Sequence, residues 1–165
     1  GLMVKKWDYT TEPRAVVLVH ADTKDYDHPE PAELCYSMAR TVCRRLEEKA
    51  VSYRFAANAA FDLLLNAALS GEEWRKPLET PQGYGPEHYR RVLEILGRAT
   101  GQTALSCARF CAEYYHPQEQ VGCIVVTTEP EEVVRAAVQP LPGIPLLVLT
   151  PEMAVETAQT GEAGA

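Results

Sequence analysis

The sequence predicts an α/β domain: a doubly wound, mainly parallel sheet with helices on both faces. Three observations carry that prediction. The stretch Arg14 to Asp27, RAVVLVHADTKDYD, contains the continuous β-branched and leucine run Val16 to Val19, which suits a central strand covered on both sides, and it leads straight into an acidic loop. A second strongly apolar run, Val121 to Thr128 (VGCIVVTT), is the best sheet partner for the first. Helical and strand periods alternate along the chain, and parallel strands require crossover helices between them.

Each element has its own warrant. Leu2 to Pro13, LMVKKWDYTTEP, alternates weakly and stops at a Thr-Thr-Glu-Pro turn. It reads either as a short edge strand or as a cut from a longer protein, with Gly1 resembling a residue left by tag removal. Pro31 opens a helix to about Lys49, whose stripe Leu34, Cys35, Met38, Val42 and Leu46 faces a core while Arg40, Arg44, Arg45 and Glu48 face water. Val51 to Ala57 alternates as a second strand. Phe61 to Ser70 suits a short helix or a hairpin; Gly71 to Gly85 is an excursion long enough to call for a short strand near Trp74 to Glu79.

Pro86 to Ala99 is a second helix with Tyr89, Val92, Leu93, Leu96 and Ala99 inward. Thr103 is placed to cap a third helix running to about Tyr115, with Leu105, Ala108, Cys111 and Ala112 as its buried stripe. Glu129 to Val138 reads as a helix with Val133, Val134 and Ala137 inward, and Ile144 to Leu149 as the last strand. The expected organisation is a lead-in segment 1–13, one domain 14–150 and a flexible tail 151–165.

The formal net charge of −7 argues against nucleic-acid or anionic-membrane binding through bulk electrostatics, because both need a basic surface. No apolar run approaches the roughly 20 residues that span a bilayer. Five cysteines, Cys35, Cys43, Cys107, Cys111 and Cys123, form no CxxC pair and read as reduced core residues. Cys107 and Cys111 with His116 make only a partial zinc spacing, short of four convergent ligands.

Ligands of open α/β sheets sit at the carboxyl edge of the strands, so site chemistry is to be sought first at His20 to Asp27. Its aspartates suit turn formation, in which short carboxylates accept backbone N–H groups. His20 with Asp22 or Asp25 and Ser106 assembles a hydrolase triad on paper. The chain nevertheless lacks a G-x-S-x-G elbow, and no glycine-rich phosphate loop follows the first strand.

LMVKKWDYTTEP leading into VVLV, GYGPEHYRRVLEILGRAT followed by another helix, and VGCIVVTTEP together resemble the C-terminal half of the bacterial proteins called domain of unknown function 58. The resemblance spans about residues 2 to 150 and implies a von Willebrand factor A-like, Rossmann-like fold. In such domains a metal ion adhesion site follows the first strand as Asp-x-Ser-x-Ser, completed by a threonine and a later aspartate. On this chain the resemblance aligns that pattern with His20, Asp22 and Lys24, then Thr103, then Thr128 with Glu129 one step beyond. An imidazole and an ammonium thus stand where oxygen ligands of a hard dication are required.

The resemblance therefore implies a non-enzymatic protein–protein interaction domain with a degenerate metal site, no catalytic residues and no cofactor. Its parent would be membrane-anchored, with this region at the cytoplasmic face, making no membrane or nucleic-acid contact itself and acting with a MoxR-type ATPase in the assembly of other proteins. The binding surface would comprise the Ala21 to Glu30 loop, the Thr100 to Thr103 turn and the Thr127 to Pro130 loop. The alternative is an adhesion-type module in which Mg²⁺ or Ca²⁺ is held by a shifted set, Asp22, Asp25 and Glu129; a small hydrolase is the third.

Overall fold

A computed structural model describes residues 13–59 and 76–154. The lead-in segment before Pro13, the Phe61 to Ser70 stretch, Trp74 and the tail beyond Ala154 lie outside the described residues. Five strands form one sheet in the order β3-β2-β1-β4-β5. These are β1 (Arg14–His20), β2 (Ser52–Ala57), β3 (Leu78–Glu79), β4 (Gly122–Thr127) and β5 (Leu146–Leu149). β1 runs parallel to both β2 and β4, β4 runs parallel to β5, and only the two-residue β3 is antiparallel. The fold is thus α/β and doubly wound, with the valine-rich strand at its centre.

β1 shows why. Its side chains alternate between two separate cores, Val17 and Val19 facing one and Val16 and Leu18 the other, and all four are at most 1% exposed. Burying each of these side chains contributes about 1.5–3 kcal/mol, so a strand apolar on both faces is most stable between two helical layers. One layer holds α1 (Glu30–Glu48) and α2 (Pro86–Arg98). The other holds α3 (Cys107–Tyr114) and α4 (Glu131–Ala137).

The helices begin and end near their expected bounds, α1 with Pro31 in its first turn, acidic Glu30 and Glu33 beside it, and Arg45 in the last turn, as the helix dipole favours. Four expectations are corrected. α3 is capped by Ser106, whose Oγ accepts the Arg109 N–H at 3.2 Å, and Thr103 lies upstream in the preceding loop. Starting the helix three residues later rotates its inner face, so Cys107, Phe110 and Cys111 are buried while Ala108 and Ala112 are exposed. Leu93 and Val133, expected inward, are surface residues, because α2 and α4 seat only a narrow stripe, His88, Val92 and Leu96 in one case and Val134 in the other. The strand expected near Trp74 to Glu79 is confined to Leu78–Glu79 within the described residues, and Thr80 extends its contact by bonding Phe55 through both its backbone N–H and its hydroxyl.

Candidate functional site at the carboxyl edge

From β1 the chain moves to β2 and β3 on one side and later to β4 and β5 on the other. The switch point lies between β1 and β4, where crossovers leave the sheet in opposite directions and open a crevice. The loops after β1 and β4 meet there. His20 O accepts the Thr128 N–H at 3.1 Å, and Thr128 Oγ1 accepts the Asp22 N–H at 3.0 Å. Thr127 Oγ1 accepts the Glu129 N–H at 3.0 Å, which turns the Glu129 carboxylate back over the strand ends.

Within this frame Lys24 Nζ lies 3.3 Å from Glu129 Oε2, and His20 Nε2 lies 3.9 Å from Glu129 Oε1. His20 is 2% exposed and packed 6.3 Å from the Phe110 ring. Its partner is Asn58, the residue that follows β2. Asn58 Oδ1 accepts the N–H groups of both Ala104 and Leu105 at 3.0 Å, and Nδ2 reaches Leu105 O and His20 Nδ1, each at 2.7 Å. With both amide protons donated, His20 Nδ1 must accept, so the imidazole proton sits on Nε2 and points toward Glu129. Burial lowers the His20 pKa from 6.5, opposed by the carboxylates of Glu129 and Asp22 and assisted by the Lys24 ammonium. The ring is therefore neutral near pH 7, a buried hydrogen-bonded group with no lone pair free to take a nucleophile's proton. Ser106, the nucleophile of the paper triad, is engaged as a helix cap.

The Thr100 to Thr103 turn is stitched to the β1 loop. Thr23 N–H donates to Gly101 O at 2.6 Å, Gly101 N–H donates to Tyr36 Oη at 3.1 Å, and Gln102 Nε2 reaches Tyr26 Oη at 3.3 Å. Gly101 takes φ +81°, and a Cβ there would collide with the Thr23 hydroxyl, so this close approach requires glycine. Thr103 stands in the same loop, immediately before the Ala104 amide that Asn58 holds.

Asp22, Thr23, Lys24, Asp25, His28, Thr128 and Glu152 line a cleft of about 280 Å³ beside the switch point. Asp25 is already committed locally, its Oδ1 accepting the Asp27 N–H at 3.0 Å in an Asx turn. Of the residues aligned with a metal ion adhesion site, the fold thus brings His20, Asp22, Lys24, Thr128 and Glu129 together, with Thr103 in the adjoining loop. Their chemistry does not fit an octahedral dication, because Lys24 brings an ammonium and His20 turns a protonated Nε2 toward Glu129 while its Nδ1 is held by Asn58. The partial zinc spacing is separated: His116 lines a different groove, with Arg54, Glu79, Glu113, Tyr114 and Glu119, while Cys107 and Cys111 are buried under the sheet.

Sequence reasoning missed Asn58, the hub of this edge. The available signal was a polar side chain directly following an apolar strand that pairs with β1. No family model, no curated protein and no solved structure matches the chain.

Proposed function

We propose that this chain is a protein–protein interaction module without a catalytic step, a von Willebrand factor A-type domain in which a lysine replaces the metal. On the resemblance of its sequence, it belongs to a membrane-associated bacterial protein and acts at the cytoplasmic face with a MoxR-type ATPase in assembling other proteins. The observation that carries the binding role is Tyr26, 71% exposed on a loop that Thr23 and Gln102 tie to the neighbouring turn. A large amphipathic side chain held out from a pre-ordered loop is the usual form of an interface anchor. The Lys24–Glu129 pair supports the metal-free form, since an internal ammonium already neutralises the carboxylate that a cation would otherwise meet.

Calorimetric titration of the chain with the MoxR-type ATPase tests the partner. Tyr26→Ala is expected to weaken binding at least tenfold, about 1.4 kcal/mol; undetectable binding by the unaltered chain, or equal binding by the variant, overturns this reading. A second reading, a Mg²⁺- or Ca²⁺-dependent module, draws on Asp22 and Asp25 beside the cleft. Melting with and without Mg²⁺, Mn²⁺ and Ca²⁺ separates the two, because a ligand of the folded state alone raises its stability. No rise is expected; a rise abolished by Asp22→Ala would establish the second reading instead.

A further inference from the structure

β5 is the edge of the sheet on its side, and among the described residues nothing pairs with its outer rim. Natural sheets protect such rims with charges, bulges or covering segments. The protection by charge is missing: the chain is 24% charged, yet no Asp, Glu, Lys or Arg occurs from Ala136 to Pro151. Leu147 is 49% exposed on this strand.

The same strand carries a matching recess. β4 and β5 pair Ile124 with Leu147 and Val126 with Leu149, and Ile124 and Val126 face the α1 layer, so Leu147 and Leu149 face it too. Leu149 joins Leu34, Met38, Val42 and Ala154 in lining an apolar groove of about 230 Å³ between α1 and the sheet edge. A projecting leucine and an apolar recess thus lie two residues apart, on one face of one exposed strand.

The backbone fixes how a second copy would use them. Cys123 N–H donates to Pro145 O at 3.1 Å, and the two-residue period of the ladder then turns the backbone groups of Leu147 and Leu149 toward β4. Those of Leu146 and Val148 and the Thr150 N–H point outward, while Thr150 O accepts the Met153 N–H at 3.1 Å in the turn that follows. An antiparallel partner centred on Val148 bonds Val148 to Val148 of the second copy, and Leu146 O accepts the Thr150 N–H of the second copy. Leu147 then stands opposite Leu149 of the second copy as a non-hydrogen-bonded pair, the closer kind, with side chains on the same face. Each Leu147 enters the other copy's groove, and the two-fold axis makes the contact self-complementary.

We propose that the chain forms a two-fold dimer by antiparallel pairing of β5, continuing the sheet across the axis, with Leu147 seated in the groove of the second copy. One short strand and one groove make a contact smaller than the roughly 800 Å² per partner of a standard interface, so the dimer is reversible. This interface lies on the sheet edge, apart from the carboxyl-edge face, and stands or falls independently of the proposed function.

Sedimentation equilibrium of the full chain tests it. A concentration-dependent monomer–dimer equilibrium is expected, with the dimer lost in Leu147→Glu while the melting temperature and far-ultraviolet circular dichroism stay unchanged. The double variant Leu147→Cys, Leu149→Cys is expected to give a covalent dimer on mild oxidation, which neither single variant gives; within one chain the two positions sit too far apart along the strand to bridge. A chain monomeric up to millimolar concentration overturns the proposal, whether the Val148 amide exchanges fast or is protected by other residues of its own chain. A dimer that survives Leu147→Glu overturns it equally.

Discussion

Asn58 Nδ2 stands 2.7 Å from His20 Nδ1, and this one contact ties the end of β2 to the end of β1 while the opposite side of the same amide holds the loop that enters α3. Three segments distant in sequence are therefore positioned by a single side chain that is 1% exposed. Asn58→Ala is expected to cost about 3 kcal/mol, because it strands two backbone N–H groups, a carbonyl and an imidazole nitrogen in a buried setting. Urea unfolding measures this, and a loss below about 0.5 kcal/mol would show that water replaces the amide.

Two buried histidines make stability pH-dependent. Burial lowers the pKa of both His20 and His88 from 6.5. Between the folded and unfolded values the unfolded chain binds more protons, so the stabilisation is complete above about pH 7 and is lost as pH falls through the unfolded value toward the folded one. The melting temperature is expected to drop between about pH 7.5 and about pH 5.5, and His20→Gln to flatten part of that drop. A melting temperature that rises on acidification contradicts the buried placement.

The charges over His20 act with opposite sign. Glu129 raises its pKa and Lys24 lowers it. Glu129→Gln is expected to move the His20 titration, followed by NMR, to lower pH, and Lys24→Ala to move it higher. Shifts of the same sign in both variants would place one of these side chains elsewhere. Because Lys24 is mostly exposed, its removal should cost no more than about 1 kcal/mol of stability.

Packing separates residues that look alike in sequence. Phe110→Ala is expected to destabilise by about 3–5 kcal/mol, since the ring is fully buried between α3 and the sheet. Leu93→Ala and Val133→Ala, each 37% exposed, should change stability far less, within about 0.5–1 kcal/mol. Denaturant midpoints of the three variants decide the ranking.

Thiol reactivity gives a further test. Burial pushes Cys35, Cys43 and Cys123 up to about 12. Hydrogen bonding from Cys111, with help from Thr127, instead lowers Cys107, at the first residue of α3. Alkylation of the folded chain followed by peptide mass spectrometry should label Cys107 first; earlier labelling of Cys35 or Cys43 would mean that α1 opens from the sheet.

Much of the architecture was legible because hydrophobic periodicity is a local property. The Val16 to Val19 run, the Cys123 to Thr127 run and the stripes of α1 and α2 each declare which faces need covering, and crossover geometry then leaves few arrangements. The loop cluster at the carboxyl edge was legible as a place for the same reason: strand ends follow from strand positions.

What sequence alone determined about this protein is its doubly wound class, the central position of the valine-rich strand and the carboxyl edge, at the His20 to Asp27 loop, as the place to look for a site. Only the tertiary structure decided that Asn58 governs that edge by bonding His20 and the loop that enters α3, that Ser106 rather than Thr103 starts α3, and that Leu93, Val133 and Leu147 are left exposed. The difference is physical. A period registers one element's own burial, whereas a cap, a hydrogen-bonded amide and an uncovered leucine depend on what other elements bring alongside, at separations such as the 38 residues between His20 and Asn58.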